Sequence, residues 1–254
     1  MRIVVAGGTG VAGKVVVRLA AERGHQVLAL SRSGPTRGDL ITGSGLAEAL
    51  AGADAVIDCS NAGSQNRAKA ERFFVTGTEN LVRAAAAAGV GHHLLLSIVG
   101  IERVPMSYYQ AKVAQEAALI ATAAETGIGH TIARVTQFHE FAGQLLGRLR
   151  LGPLAAIPHL RIQPVELAAV AEHLLDLTEA GPAGRVPDVG GPRPEDLTAL
   201  ARQWVRHFGG PRVIGLPLAG KAARAIRDGA LLVPGESGQR GRTFTDWLAA
   251  QPAG

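Results

Sequence analysis

The sequence contains little cysteine and few aromatic residues, and no part of it is strongly apolar over a long run. Of its 254 residues, 4% are aromatic and one, Cys59, is a cysteine. A single cysteine excludes an internal disulfide and is typical of a reducing compartment, so we expect a cytoplasmic protein. No apolar run approaches the roughly 20 residues that a membrane-spanning helix needs, and the N-terminus lacks the pattern of a secretory signal. We therefore expect no membrane partner.

The charge pattern gives little support for nucleic-acid binding. The chain has 26 basic and 21 acidic residues, and these are scattered, with no block of five or six like charges. Histidines and acidic residues do not recur at the spacing of a metal site, so no metal is predicted. Apolar residues make up 47% of the chain, enough to bury a sizeable core. We expect a globular protein, monomeric or homodimeric, that acts on a small-molecule substrate.

Strand-like and helix-like segments alternate along the first half of the chain. Short apolar runs predict strands at Arg2–Ala6, Gln26–Ser31, Ala55–Cys59, His93–Val99 and His130–Val135. Helical patterns lie between them, at Val11–Arg23, Leu46–Ala51, Asn66–Ala88 and Ser107–Thr126. In the first helix, Val11, Val15 and Leu19 are expected to form the apolar face. This alternation predicts an α/β fold with a Rossmann-like, doubly wound parallel sheet.

The sequence pattern changes after Val135. The stretch 136–163 is rich in glycine and proline, and a helix is expected to begin at Pro164 and run to about Leu177. Further strands are expected at Arg185–Val189 and Arg212–Leu216, and further helices at Pro194–Phe208, Ala219–Asp228 and Thr243–Ala250. We expect a single domain over residues 1–254. Residues 1–135 would form its dinucleotide-binding core, and residues 136–254 mainly a small substrate-side lobe with the late strands.

A glycine-rich turn follows the first predicted strand. It reads GGTGVAG, with Gly7, Gly10 and Gly13 in the pattern G-x-x-G-x-x-G between a strand and a helix. This context favours dinucleotide binding, because glycines allow a tight turn, close approach of a pyrophosphate and close helix–strand packing. The alternative is a tight turn with no ligand.

The end of the second predicted strand carries a basic residue, where an NAD site usually carries Asp or Glu. Arg32 would suit the 2′-phosphate of NADP through charge-assisted hydrogen bonds, with Arg37 as a competitor for that role. We therefore expect NADP rather than NAD. The alternative is a solvated loop arginine.

The hexapeptide SYYQAK places two tyrosines ahead of one of only four lysines, Lys14, Lys69, Lys112 and Lys221. In a helix, Tyr108 and Lys112 are i and i+4 and share a face, whereas Tyr109 points away. A nearby ammonium lowers the pKa of a phenol, so Tyr108 is the better candidate proton donor. The alternative is an ordinary helix start with an exposed lysine.

Together, the glycine turn, the Y-x-x-x-K motif and a serine on the preceding strand resemble the short-chain dehydrogenase/reductase superfamily. The segments FFVTGTENLVRAA, LLLSIVGIERVPMSYYQAK and TQFHEF resemble its atypical branch, the NmrA-like NAD(P)H-binding reductases of bacteria. The resemblance covers roughly residues 1–180 well and the remainder loosely.

The resemblance implies a role for individual positions. The catalytic set would be Ser97, Tyr108 and Lys112. The cofactor would be contacted at its pyrophosphate, adenosine and nicotinamide ends by Gly7, Thr9, Gly10, Val11, Ser31, Arg32, Asp39, Leu40, Cys59, Ser60, Asn61, Lys112 and Thr136. Substrate contacts are expected from Gln137, Phe138, His139 and Phe141. The implied activity is NAD(P)H-dependent reduction of a carbonyl compound with Tyr/Lys acid catalysis.

Three departures from the family pattern keep alternatives open. The loop Arg32–Asp39 is short, so the third strand is expected to be stunted or missing. Ser97 is followed by isoleucine and could occupy the non-catalytic position of the family's S-S pair. Phe74 stands where extended members often carry asparagine, so a proton relay through that residue is absent. The alternatives are a non-catalytic NADP(H) sensor and a nucleotide-sugar epimerase or dehydratase.

Overall fold

Strands and helices are interspersed along the described part of the chain. The computed structural model describes residues 1–63, 66–235 and 238–252. The strands are β1 (Arg2–Ala6), β2 (Gln26–Ser31), β3 (Thr36–Arg37), β4 (Ala55–Asp58), β5 (His92–Ile98), β6 (Gly129–Val135), β7 (Arg150–Leu151), β8 (Leu154–Pro158), β9 (Arg161–Ile162), β10 (Gly184–Arg185), β11 (Glu195–Asp196) and β12 (Arg212–Leu216). The helices are α1 (Val11–Glu22), α2 (Leu46–Leu50), α3 (Arg67–Ala87), α4 (Ser107–Thr126), α5 (Phe141–Arg148), α6 (Leu167–Ala180), α7 (Leu197–Phe208), α8 (Lys221–Arg227) and α9 (Phe244–Ala249). A 3-10 turn covers Ile101–Arg103.

A seven-stranded sheet in the order β10-β6-β5-β4-β1-β2-β3 confirms the predicted Rossmann-like fold. Strand β1 pairs in parallel with β2 and β4, and β4 pairs in parallel with β5. The order reverses at β1, and in such sheets ligands bind beyond the carboxyl ends of the strands at this reversal. The third strand is stunted, as expected, because β3 has two residues, which pair with Leu30 and Ser31.

The helices α3 and α4 pack on the sheet through a continuous apolar layer. Leu81 and Leu119 are fully buried and belong to one cluster with Val4, Val56 and Leu95 of the sheet. The buried face of α1 differs from the prediction. It consists of Ala12, Gly13, Val16 and Ala20, whereas Val11 is 50% exposed. The small residues on this face allow α1 to lie close to the glycine turn. The buried face is therefore shifted by one residue from the predicted face.

The chain divides into two compact units, which are described separately. The core unit consists of Met1–Ser97, Met106–Arg134 and Ala171–Pro187, and the second unit of Ile98–Pro105, Val135–Val170 and the chain from Asp188 onward. The expectation of a single domain stays a prediction.

The second unit contains its own small sheets and its own core. Strand β8 lies between β7 and β12, and β9 pairs with β11. Phe244, Trp247 and Leu248 of α9 are buried with Leu197 and Leu200 of α7. The stretch 136–163 contains α5 and β7–β9, none of which the sequence pattern predicted.

The start of α6 differs from the prediction. The helix begins at Leu167, because Val165 forms a parallel bridge to Phe138 and its N–H donates to the carbonyl of Gln137. Pro164 therefore lies before the helix, next to Val165, whose backbone pairs with the segment around Phe138. Among the described residues, no helix is both long enough and apolar enough to span a membrane.

Candidate active site

The glycine turn between β1 and α1 has a backbone that side chains would disrupt. Gly7 has a φ of 71°, in the left-handed region that favours glycine. A Cβ on Gly13 would collide with the carbonyl oxygen of Gly7, so α1 can approach the turn closely only with glycine there. A Cβ on Gly10 would lie 3.1 Å from the same oxygen, a tight but less severe contact.

The N-terminus of α1 is open to an anion. Gly10 is the N-cap, no side chain caps the helix, and its first turn contains no acidic residue. The first N–H groups of a helix have no intrahelical partner and carry a partial positive charge. Thr9 and Val11 are exposed on either side of Gly10. These features fit the pyrophosphate of a dinucleotide, which would be held by the backbone from Gly7 to Gly13.

The end of β2 presents an exposed arginine. Arg32 makes no hydrogen bond or ion pair within the described part of the chain, whereas the Ser31 hydroxyl accepts the N–H of Gly34 at 2.8 Å. Arg37 is also exposed and lies on β3. A guanidinium that has no partner in the protein is suited to bind a phosphate group. Both arginines are exposed and could be reached by such a group.

The predicted adenine-side loop is held by α3. Asp39 accepts the N–H groups of Ile41 and Thr42 through its side chain, which closes the loop on itself. The amide of Asn80 donates to the carbonyl of Leu40 at 2.8 Å. A Cβ on Gly77 would lie 3.2 Å from that of Leu40, so the glycine gives the loop room. The G-T-x-N-L segment of α3 thus fixes the position of residues 39–41.

The two tyrosines at the start of α4 have different environments. The hydroxyl of Tyr108 donates to Oδ1 of Asn61, beyond β4, at 2.9 Å. The Tyr109 ring lies edge-on to that of Tyr108, with the centroids 5.8 Å apart. Desolvation, and to a lesser extent Tyr108, raises the pKa of Tyr109 above its ordinary value. Tyr109 is therefore the poorer proton donor of the two.

Lys112 is buried, and its ammonium is hydrogen-bonded inside the core unit. Its Nζ donates to the carbonyl of Leu96 at 3.0 Å and to Oε1 of Gln115 at 2.6 Å. It also lies 5.0 Å from the centroid of the Phe74 ring. Desolvation lowers the pKa of Lys112 to about 8, against the opposing effect of Asp58. At neutral pH the ammonium is still the major form.

The third member of the predicted catalytic set is bonded to a buried ion pair. The Ser97 hydroxyl donates to Oε1 of Glu116 at 2.5 Å, and Arg134 donates to both carboxylate oxygens at 2.8 and 2.6 Å. All three side chains are less than a tenth exposed. This geometry gives Ser97 a structural partner, and its predicted catalytic role stays a prediction.

Residues at the end of β4 connect the sheet to α4. Desolvation raises the pKa of the Cys59 thiol, so the thiol stays protonated and unreactive at neutral pH. The N–H of Ser60 donates to Oδ1 of Asp58 at 2.8 Å. Asp58 is buried, and its other oxygen accepts from Gln115. The structure thus brings Asn61 to Tyr108 and links Asp58 through Gln115 to Lys112.

The predicted substrate residues lie in the second unit. Thr136, predicted at the nicotinamide, donates its hydroxyl to the carbonyl of Gln163. His139 is buried against Phe244 and Trp247, and Phe141 packs on the same cluster.

Burial lowers the pKa of His139 to about 4, and one ring nitrogen faces the carbonyl of Arg242 at 3.1 Å. Phe138 is half-buried. The buried amide of Gln137 has no hydrogen-bond partner among the described residues. The substrate roles of these residues stay predictions, and the contacts of His139 are those of a core residue.

Sequence reasoning missed the polar residues behind the Tyr–Lys pair. These are Asp58, Gln115, Glu116 and Arg134. Three of the four have a signal in the sequence. Asp58 and Arg134 interrupt apolar strands, and Glu116 lies one helical turn beyond Lys112. Buried polar residues are hydrogen-bonded, so polar residues at buried positions predict such a network, although not which partners meet.

A family model described as NAD(P)H-binding matches residues 7–177. The chain belongs to this family. The match includes the glycine turn, α3 with Asn80, and α4 with Tyr108 and Lys112. It confirms the predicted NAD(P)H-binding protein of the atypical short-chain dehydrogenase/reductase type.

Two curated relatives are similar over part of the chain. The photosystem II assembly factor Ycf39 of Synechocystis is 34% identical over 117 residues, which are 41% of this chain and 36% of that protein. The 2-alkyl-3-oxoalkanoate reductase of Stenotrophomonas maltophilia is 38% identical over 103 residues, 36% of this chain and 31% of that protein. The similarity thus spans about a third of each relative.

Solved structures share the fold over nearly the whole chain. MoeE5 in complex with UDP-glucose and NAD has a TM-score of 0.78 at 17% identity and covers 99% of this chain and 97% of its own. A short-chain dehydrogenase/reductase superfamily protein from Agrobacterium tumefaciens with bound NAD has a TM-score of 0.70 at 20% identity, with 98% and 95% coverage. These similarities establish the fold.

Proposed function

We propose that this protein is an NADPH-dependent reductase of a small carbonyl compound, with Tyr108 as the proton donor and Lys112 as its charged partner. The observation that carries the proposal is that both side chains are anchored to the segment 58–61. Tyr108 contacts it directly, and Lys112 contacts it through Gln115. Residues 59–61 are the predicted nicotinamide side of the site.

The proposed reaction needs a hydride and a proton at the carbonyl group. When bound, NADPH would supply the hydride that converts the carbonyl carbon to an alcohol carbon. Tyr108 donates its phenolic proton to the carbonyl oxygen, and the ammonium of Lys112 favours the resulting phenolate by its charge. The backbone from Gly7 to Gly13 binds the pyrophosphate, and Arg32 binds the 2′-phosphate.

The substrate class is proposed from the reductase relative. That protein's name describes reduction of a 3-oxo acid with a 2-alkyl branch. A β-oxo acid is a suitable first substrate for this chain because its ketone is a polarised carbonyl group that a hydride can reduce. Gln137, Phe138, His139 and Phe141 remain the predicted substrate contacts.

A nucleotide-sugar epimerase is the second candidate. It is favoured by the fold similarity to MoeE5, whose structure contains UDP-glucose and NAD and is covered over 97% of its length. The same Tyr–Lys pair would then remove and return a proton at a sugar hydroxyl, and the cofactor would show no net change.

The test is to measure NADPH consumption by the purified protein with 2-alkyl-3-oxoalkanoates, simple ketones and quinones. UDP-glucose with NAD is assayed in parallel for conversion of the sugar. The proposal predicts NADPH consumption with one alcohol formed per NADPH. Sugar conversion without net NADH formation would support the epimerase instead. Tight NADPH binding without turnover of any compound would indicate a non-catalytic NADP(H) sensor.

A further inference from the structure

Gln115 lies between the buried carboxylate of Asp58 and the buried ammonium of Lys112. Its side chain is fully buried. Its Oε1 accepts from Nζ of Lys112 at 2.6 Å, and its Nε2 lies 3.0 Å from the hydroxyl oxygen of Thr78 and 3.3 Å from Oδ2 of Asp58. Every polar atom of this side chain therefore has a partner.

The orientation of the Gln115 amide follows from the chemistry of its neighbours. An ammonium can only donate, so the oxygen of the amide must face Lys112. A carboxylate can only accept, so the amide nitrogen must face Asp58. The reversed amide would place a donor against a donor and an acceptor against an acceptor. The carboxylate also polarises the amide, which makes its oxygen a stronger acceptor for the ammonium.

Among the described residues, one hydrogen-bond acceptor for the Lys112 ammonium is found besides Gln115. The carbonyl of Leu96 on β5 is its other hydrogen-bond acceptor, and the Phe74 ring of α3 lies beside it. The titratable groups that act on it are Asp58 and Cys59 at the end of β4 and Glu116 on its own helix. Of the two acceptors, Gln115 makes the shorter hydrogen bond.

We infer that Gln115 is a positioning residue for Lys112. Its hydrogen bonds to the ammonium and to the carboxylate of Asp58 hold the ammonium in place and stabilise its charge. This inference rests on the proposed function, in which Lys112 supports Tyr108. It assigns to Gln115 a role in the chemistry of the site, whereas a core glutamine that only fills space would affect stability alone.

The test follows the titration of Lys112 itself. The chain has only four lysines, so the lysine side-chain signals of a protein labelled with ¹³C at Cε can be assigned by Lys→Arg variants. In the unmodified protein the Lys112 signal should titrate near pH 8. Gln115→Leu removes the acceptor and should move this titration down by roughly one pH unit, the effect expected for one hydrogen bond to a charged group.

Two further variants separate positioning from folding. Gln115→Glu keeps an acceptor and adds a negative charge, so it should move the Lys112 titration upward, and it decides the question if Gln115→Leu does not fold. Gln163→Leu is the matched control. Gln163 is another buried, fully hydrogen-bonded glutamine, in the second unit, and its loss should destabilise the protein without moving the Lys112 titration.

The pH profile of turnover provides the functional readout. Loss of the ammonium charge should end activity at high pH, so the alkaline limb of kcat should shift downward in Gln115→Leu and upward in Gln115→Glu. An unchanged Lys112 titration in both variants would overturn the inference. The titration is measured without substrate and therefore tests the role of Gln115 independently of activity. If no carbonyl compound is reduced, that result counts against the proposed function and not against the role of Gln115.

Discussion

At the residue scale, the proposed preference for NADPH depends on one exposed guanidinium. Arg32 follows β2 directly, and no acidic side chain stands at the end of that strand. A charge-assisted hydrogen bond to phosphate contributes roughly 1.5–3 kcal/mol, or about 10- to 150-fold in affinity. A 2′-phosphate near Arg32 would therefore be recognised by charge, and an unmodified ribose would gain nothing from it.

We expect NADPH to bind at least about tenfold more tightly than NADH. Arg32→Ala should remove most of this difference and leave NADH binding nearly unchanged. Calorimetric titration with both cofactors measures the two dissociation constants. Arg37→Ala is the matched control, because Arg37 is also exposed and lies on the neighbouring strand β3. Equal constants in the unmodified protein, or a larger effect of Arg37→Ala, would show that Arg32 does not select the cofactor.

The environment of Lys112 shows which part of a site the sequence can predict. The i, i+4 spacing predicts that Tyr108 and Lys112 share a helical face, because that relation is local. It does not predict that Gln115 and the carbonyl of Leu96 accept from the ammonium, since this depends on how α4 lies on β5. The bond between Ser97 and Glu116 was missed for the same reason.

At the element scale, the glycine turn and α1 act together. Gly13 is where the helix approaches the turn, and Gly10 is where the helix N-terminus faces outward. A side chain at Gly13 would disturb the packing of α1 against the turn. A side chain at Gly10 would mainly occupy the space in front of the N-terminus of α1. The two positions should therefore separate folding from cofactor binding.

We expect Gly10→Val to abolish NADPH binding while the fold survives, because the branched side chain would stand where the pyrophosphate approaches. Calorimetry with NADPH on a variant of native far-UV circular dichroism checks this. Gly13→Val should instead lower the free energy of unfolding, by about 1–3 kcal/mol or more, as overpacking does. Retained micromolar binding in Gly10→Val would mean that the loop is only a turn.

The elements of the core unit were predictable because their patterns are long and their ends are marked. Helix α4 matches its predicted range Ser107–Thr126, and Gly127 ends it with a φ of 76°. Strands β7 and β9 have two residues each, too few for any periodicity to appear. Pro164 suggested a helix start, but the backbone pairing of Val165 with the segment around Phe138 prevails there. That pairing is between distant parts of the chain, which local sequence does not reveal.

At the scale of the whole molecule, we expect buried histidines to make stability depend on pH. His93 on β5 is fully buried, and neither ring nitrogen has a hydrogen-bond partner among the described residues. Burial lowers the pKa of His93 to about 4, although Asp58 acts in the opposite direction. In an unfolded chain a histidine titrates near pH 6.5. Between these values the unfolded chain binds a proton that the folded protein excludes.

The contribution of His93 to the free energy of unfolding should therefore be level above about pH 6.5 and fall as the pH decreases towards 4. The loss assignable to His93 is up to about 3 kcal/mol. Urea denaturation at a series of pH values measures it. His93→Leu removes the titrating group and should give a shallower slope over this range. The same slope in both proteins would show that His93 is not responsible.

The central proposal is that this NAD(P)H-binding chain reduces a carbonyl compound with Tyr108 as its proton donor. The most direct measurement is kcat with NADPH for Tyr108→Phe and for its neighbour Tyr109→Phe, using a substrate found for the unmodified protein, with the NADPH dissociation constant determined for each. We predict that Tyr108→Phe lowers kcat by about 10²–10⁴, the usual contribution of a positioned general acid, and leaves NADPH binding nearly intact. Tyr109→Phe should lower kcat far less. Equal losses in the two variants, or a greater loss in Tyr109→Phe, would contradict the account.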